Sequence, residues 1–217
     1  MINTIIFDLD GTLVDSLEDL ADTVNILLNK RGYPAHELDQ YRYFVGNGVI
    51  KLIERALPQE HKDEVIVLKQ EFDEKYSLNC LNKTNAYPGV NELLEKLKKL
   101  GFNLAVVTNK PQEHAIKITK TLFPDYFKYV FGNSMRHPKK PDPCLTNLVI
   151  DLFDVKKNEV IYIGDSDVDI QTAKNAKVKS IGVAWGFRGA RELKDSGADY
   201  VVDQADEILE VIDDWSK

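Results

Sequence analysis

At 217 residues the chain has room for one large domain, or for one domain carrying a smaller inserted one. Its 43% hydrophobic and 29% charged content is that of a soluble globular protein, and a formal net charge of −7 without any extended basic run argues against nonspecific nucleic-acid binding. Cys80 and Cys144 are too few for a disulfide framework, and no apolar run approaches the roughly 20 residues that span a bilayer, so the expectation is a cytoplasmic protein with buried free thiols and no membrane partner.

The first apolar run, Ile5-Ile6-Phe7, predicts a buried strand that ends abruptly in Asp8-Leu9-Asp10-Gly11-Thr12. In extended chain the i, i+2 spacing puts Asp8 and Asp10 on one face, and Gly11 permits a sharp turn. Two like charges held that close resist joint ionisation unless a cation lies between them. Ser16, with Asp19 three residues on, marks a helix start. Leu17, Leu20, Ala21, Val24, Leu27 and Leu28 follow at helical spacing until Gly32 and Pro34 stop them. Val49, Leu52, Ile53, Ala56 and Leu57 form a second stripe, and Val65, Leu68, Phe72 and Tyr76 a third. Roughly 70 residues before the next strand are therefore mostly helical, many more than a crossover between parallel strands requires. This predicts a helical unit, residues 15–85, inserted into a core made of residues 1–14 and 86–217. Within it, Phe44-Val45-Gly46-Asn47-Gly48 is either a helix–helix turn or a loop whose backbone N–H groups face a ligand.

From Tyr87 the pattern changes. Pro88-Gly89 is punctuation, and Val90, Leu93, Leu94, Leu97 and Leu100 make an amphipathic helix ended by Gly101. Leu104-Ala105-Val106-Val107 reads as a buried strand, closed by Thr108-Asn109-Lys110-Pro111. Helices near 112–122, 142–153 and 167–176 then alternate with strands at 129–131, 160–163, 181–184 and 200–202, before a terminal helix through Ile208, Leu209 and Ile212. The expected fold class is α/β: a doubly wound parallel sheet, a Rossmann-like core, with an inserted helical cap domain. Ligands in such sheets bind at the carboxyl ends of the strands.

Those ends carry the chemistry. Asp8 and Asp10 follow the first strand, Thr108 and Asn109 the second, and Gly164-Asp165-Ser166-Asp167-Val168-Asp169 the fourth. Lys139-Lys140-Pro141-Asp142-Pro143 lies between them as a rigid loop opening a helix. In residue type, order and placement these groups resemble the four motifs of the haloacid dehalogenase-like hydrolase superfamily, and the resemblance covers nearly the whole chain, from Phe7 to Val202.

The resemblance implies that Asp8 is the nucleophile, forming an aspartyl-phosphate, and that Asp10 is the general acid and base. It implies that Thr108 and the Asn109 backbone N–H bind the transferring phosphoryl oxygens. Lys140, which directly precedes Pro-Asp-Pro as the family lysine does, is preferred to Lys139 as the neutralising cation. The implied cofactor is Mg²⁺, held by Asp8, Asp165 and the Asp10 carbonyl, with Asp169 either a ligand or the group that orients a bound water. The physical need is plain: a phosphate monoester is a dianion that repels an attacking carboxylate, and a hard divalent cation with oxygen ligands removes that repulsion.

The insertion resembles the cap of a large subgroup. Phe44 to Gly48, Tyr87-Pro88-Gly89-Val90, Val107 to Pro111 and Lys140 to Pro143 together look like the phosphoglycolate phosphatase-like members. This makes Gly46, Asn47 and Gly48 candidate substrate-binding residues, with Arg42 close by, and a small phosphorylated metabolite the expected partner of a monomer or homodimer. A pyrophosphatase, a nucleotidase or a hexose-phosphate mutase on the same core remain open, as does a non-catalytic phospho-aspartate switch. Receiver domains of that last kind are shorter and lack a helical insertion. The segment Arg136 to Lys139 is unusually basic, either for a more anionic substrate or as plain surface. His36, His61, His114 and His137 have no metal-ligand spacing and are expected on the solvated surface. Trp185-Gly186-Phe187-Arg188 reads as core packing plus a turn, and Trp215 as packing.

Overall fold

The computed structural model describes residues 1–134 and 136–216. β1 (Thr4–Phe7) is buried along its whole length, as a central parallel strand covered on both faces must be. A short β2 (Val14–Asp15) leads into four helices: α1 (Leu17–Lys30), α2 (Leu38–Phe44), α3 (Val49–Ala56) and α4 (Val65–Asn79). The chain returns through β3 (Asn85–Ala86) and then alternates: α5 (Val90–Lys99), β4 (Asn103–Pro111), α6 (Gln112–Leu122), β5 (Tyr129–Asn133), α7 (Cys144–Phe153), β6 (Val160–Gly164), α8 (Asp167–Ala176), β7 (Lys179–Val183), α9 (Gly189–Asp195), β8 (Tyr200–Val202) and α10 (Glu207–Ser216).

The sheet has six parallel strands in the order β5-β4-β1-β6-β7-β8. The α/β fold with a doubly wound parallel sheet is the one expected. The chain builds outward from β1 to one edge, then crosses to β6 on the other side of β1. Phe7 pairs with Val106 of β4 and with Ile163 of β6, so the residues after these three strands emerge level with one another at the point where strand order reverses. Alternation along the strands divides the core. Ile5 and Phe7 face the larger apolar cluster, and Ile6 faces the smaller one with Val107, Val149 and Tyr162.

α1 to α4 form the insertion, and their buried positions reproduce the predicted stripes, including Leu68, Phe72 and Tyr76 on α4. The outgoing and returning chains run side by side as the antiparallel pair β2–β3, with Val14 opposite Ala86 and Asp15 opposite Asn85. Asp19 locks the return. Its buried carboxylate accepts the Thr84 N–H at 2.9 Å, the Thr84 hydroxyl at 2.7 Å and the Lys83 N–H at 3.1 Å. Among the described residues no helix is long and apolar enough to cross a membrane.

Ser16 stands at the start of α1 as its position predicts, but its hydroxyl donates to Asp10 Oδ1 at 2.6 Å and bonds no N–H of the helix. Three local expectations need correction. β4 continues four residues past Val107, so Thr108 and Asn109 sit on extended chain instead of a turn. His114 is buried, because the face of α6 that carries it is covered by α4, and its ring meets Tyr76 edge-on at 5.0 Å. Cys80 is buried as expected, whereas Cys144 at the start of α7 is half-buried.

Candidate active site

Close approach of backbone to carboxylate shapes the site. Gly11 has φ 83°, and a Cβ there would fall 2.3 Å from an Asp165 oxygen. Only glycine lets the turn after β1 pass this near the end of β6. The result is that Asp8, Asp165 and Asp169, all buried, bring carboxylate oxygens within 4.8 Å of one another.

Each member is held by a different element. Asp165 receives the Phe187 N–H at 2.8 Å and the Thr12 hydroxyl at 3.3 Å. Asp169, in the first turn of α8, receives the Ser166 hydroxyl at 2.6 Å and the Ser166 N–H at 3.1 Å in a reciprocal cap. Thr108 is buried close to Asp8 and lines the same cavity. Lys140 is buried between two carboxylates, 2.9 Å from Asp8 Oδ1 and 2.6 Å from Asp169 Oδ1. Its own loop is clamped by Asn109, whose side-chain amide accepts the Lys140 N–H at 2.9 Å and donates to the Lys140 carbonyl at 3.2 Å.

The electrostatics follow from crowding. Burial pushes Asp8 up to about 6; Lys140 opposes this and Asp169 adds to it. Burial, then Asp169 and Asp8, raise Asp165 well above the usual carboxylate range. Lys140 stays charged, because Asp169 and Asp8 outweigh the burial that disfavours its ammonium. Fully ionised, three carboxylates facing one ammonium would leave two uncompensated negative charges, which is why crowding disfavours that state without a cation. An all-oxygen donor set with that surplus suits a hard divalent cation such as Mg²⁺.

Asp10 lies just outside the cluster. Lys110 contacts both its oxygens, at 2.8 and 3.0 Å, and also donates to the Tyr76 hydroxyl at 2.7 Å. Neither Lys110 nor Tyr76 was marked by motif as a site residue. The available signal is a lysine following a run of buried strand residues, a position where a charge needs a partner.

The insertion closes over these groups and leaves a cavity of about 50 Å³. Gly46 and Gly48 line it, together with Val45 and Leu52. The loop's contact to the sheet is through a carbonyl instead of an N–H: Gly46 O accepts the Asn109 amide at 3.0 Å. Asn47 is turned away, its side chain held by Arg55 at 2.7 Å. Arg42 pairs with Asp39 on the surface; the arginine that reaches the loop is Arg188, which lines the cavity and donates to the Val45 carbonyl at 3.1 Å. Lys139 extends from the basic segment to the loop, its ammonium beside Gly48. The Trp185–Arg188 turn thus does more than pack, since Phe187 and Arg188 both reach the site.

Residues 5–183 match the haloacid dehalogenase-like hydrolase family. The phosphoglycolate phosphatase of Vibrio parahaemolyticus is 37% identical over 97% of this chain and 96% of its own length. That of Psychrobacter arcticus is 37% identical over 88% and 86%. A solved structure from Lactobacillus delbrueckii subsp. bulgaricus is 31% identical, covers 97% of this chain and 98% of its own, and superimposes with a TM-score of 0.90. Fold, site and relatives define a phosphoric monoester hydrolase. Within that class, the chain belongs to the haloacid dehalogenase-like hydrolase family.

Proposed function

We propose that this enzyme hydrolyses a small phosphate monoester, phosphoglycolate, through an aspartyl-phosphate on Asp8 and with Mg²⁺ as cofactor. The observation that carries the reading is Asp8 itself: a buried carboxylate at a strand end, ion-paired to Lys140, with a second carboxylate two residues on. Bound Mg²⁺, held by Asp8, Asp165 and the Asp10 carbonyl with Asp169 beside them, would neutralise charge between nucleophile and phosphoryl group.

Asp8 attacks phosphorus as the bond to the leaving oxygen breaks, and that oxygen takes a proton from Asp10. Lys140, the Thr108 hydroxyl and the Asn109 N–H bind the phosphoryl oxygens as charge spreads over them. The Asp10 carboxylate then takes a proton from water, which attacks phosphorus and releases phosphate and free Asp8. The second carboxylate matters because an alkoxide, unlike a halide, leaves poorly without a proton.

The proposed substrate rests on the relatives named above. On this reading α1 to α4 are a cap that excludes water and selects the leaving group. The test is phosphate release with Mg²⁺ from phosphoglycolate, pyrophosphate, nucleoside monophosphates, hexose phosphates and p-nitrophenyl phosphate, with Asp8→Asn and EDTA as controls. Turnover abolished by both controls, with phosphoglycolate preferred by roughly 100-fold, supports the reading; that preference is about 2.7 kcal/mol of differential transition-state binding. Preference for a nucleotide or hexose phosphate overturns the substrate.

A further inference from the structure

Lys110 and Tyr76 have no part in the chemistry above, yet both are buried at its edge. The Lys110 side chain is 2% exposed, and its ammonium spans both oxygens of Asp10. Its other partner is the Tyr76 hydroxyl, and it also lies over that ring, 4.8 Å from the centroid. The Asp10 oxygens are not equivalent. Oδ1 takes the Ser16 hydroxyl at 2.6 Å as well as Lys110 at 2.8 Å, whereas among the described residues Oδ2 takes Lys110 alone, at 3.0 Å.

We infer that Lys110 is a positioning residue for Asp10: it fixes the carboxylate with Ser16 so that Oδ2 faces the leaving oxygen, and is itself fixed by Tyr76 from the insertion. The assignment rests on the phosphatase reading. When Asp10 gives its proton to the leaving oxygen it becomes a carboxylate in a site already crowded with them. The Lys110 ammonium, unchanged throughout, compensates that new charge, and the proton returns to Asp10 from the attacking water. Tyr76 lies on the last helix of the insertion and Lys110 on β4, so the acid and base of the core is held partly from the insertion.

The test compares leaving groups. Ethyl phosphate needs a proton delivered to its alkoxide, whereas p-nitrophenyl phosphate releases a stable phenolate. In Lys110→Met, kcat/KM is expected to fall by roughly 100-fold on ethyl phosphate and on phosphoglycolate, and far less on p-nitrophenyl phosphate, by roughly tenfold at most. Tyr76→Phe keeps the ring stacked on Phe72 and is expected to shift the same ratio in the same direction, which keeps the test open if Lys110→Met folds poorly. Equal losses on all three esters in both variants overturn the assignment and leave Lys110 a structural ion pair. A loss confined to phosphoglycolate overturns it in favour of a carboxylate anchor. Wild-type protein that releases phosphate from none of the three overturns the phosphatase reading, and this assignment with it.

Discussion

Asn109 and Lys140 hold each other by a reciprocal pair of hydrogen bonds, the Lys140 main-chain N–H and carbonyl each meeting the Asn109 side-chain amide. The amide also reaches the Gly46 carbonyl, so one side chain ties the lysine loop to the insertion. Asn109→Ala leaves those buried partners unpaired. Each lost hydrogen bond costs about 1 kcal/mol, so a loss of about 2–3 kcal/mol in urea denaturation is expected. Activity should fall further than stability implies, because Lys140 loses its register against Asp8. An unchanged kcat in a destabilised variant would show that the lysine loop is held by other contacts.

Asp165→Asn removes one of three crowded carboxylates while keeping the size of the side chain. Burial and the neighbouring Asp169 and Asp8 charges disfavour the ionised group, so the metal-free variant should melt at a higher temperature than the metal-free wild type. Mg²⁺ should behave oppositely, stabilising wild type by about 2.7 kcal/mol at a hundred times its dissociation constant and the variant much less. Thermal melts with EDTA and with Mg²⁺ check both signs; a variant still stabilised like wild type would exclude Asp165 as a ligand.

The sheet was legible because central parallel strands are continuous apolar runs. Ile5-Ile6-Phe7 and Val160 to Ile163 need no partner information to be read, and the residues after them inherit one edge. The contacts around Asp10 were not. Lys110 meets a carboxylate 100 residues away and a tyrosine 34 residues away, and no local pattern encodes such a meeting. Ser16 illustrates the same limit, since its position fits a helix cap and its hydroxyl serves the site. The Asn47 side chain is a further case: Arg55, eight residues on, takes it, and the loop's Gly-Asn-Gly pattern carries no sign of that contact.

His114 supplies a pH dependence. Burial first, and then the Lys110 charge, hold its pKa below the ordinary histidine value; Asp73, Glu113 and Asp10 oppose this more weakly, and the Tyr76 ring packs against it. A histidine depressed in the folded state contributes stability that is present above its unfolded pKa, about 6.5, and lost as pH falls through the folded value. Between pH 7.5 and pH 5 His114 should therefore lower the urea midpoint, against the opposite trend of the raised Asp8 and Asp165 carboxyls, and His114→Phe should hold its midpoint better than wild type as pH falls. An identical slope in the variant would assign the acid sensitivity to other groups.

Asp19 offers the sharpest stability test, because it is a buried carboxylate with no cation among the partners that hold it. The Lys83 and Thr84 N–H groups and the Thr84 hydroxyl saturate it where the chain returns from the insertion. Asp19→Ala leaves those donors buried without an acceptor, at about 1–3 kcal/mol for each one that water does not reach, so the variant should lose at least about 3 kcal/mol in urea denaturation. Asp19→Asn can still accept through its one carbonyl oxygen and should lose less. The β2–β3 pair beside it then becomes the weak point, and hydrogen exchange at Asn85 and Ala86 should speed up in Asp19→Ala while exchange in β1 and β6 holds. Uniform acceleration across the sheet would mean that Asp19 supports the whole fold, and that the insertion does not loosen separately from the core.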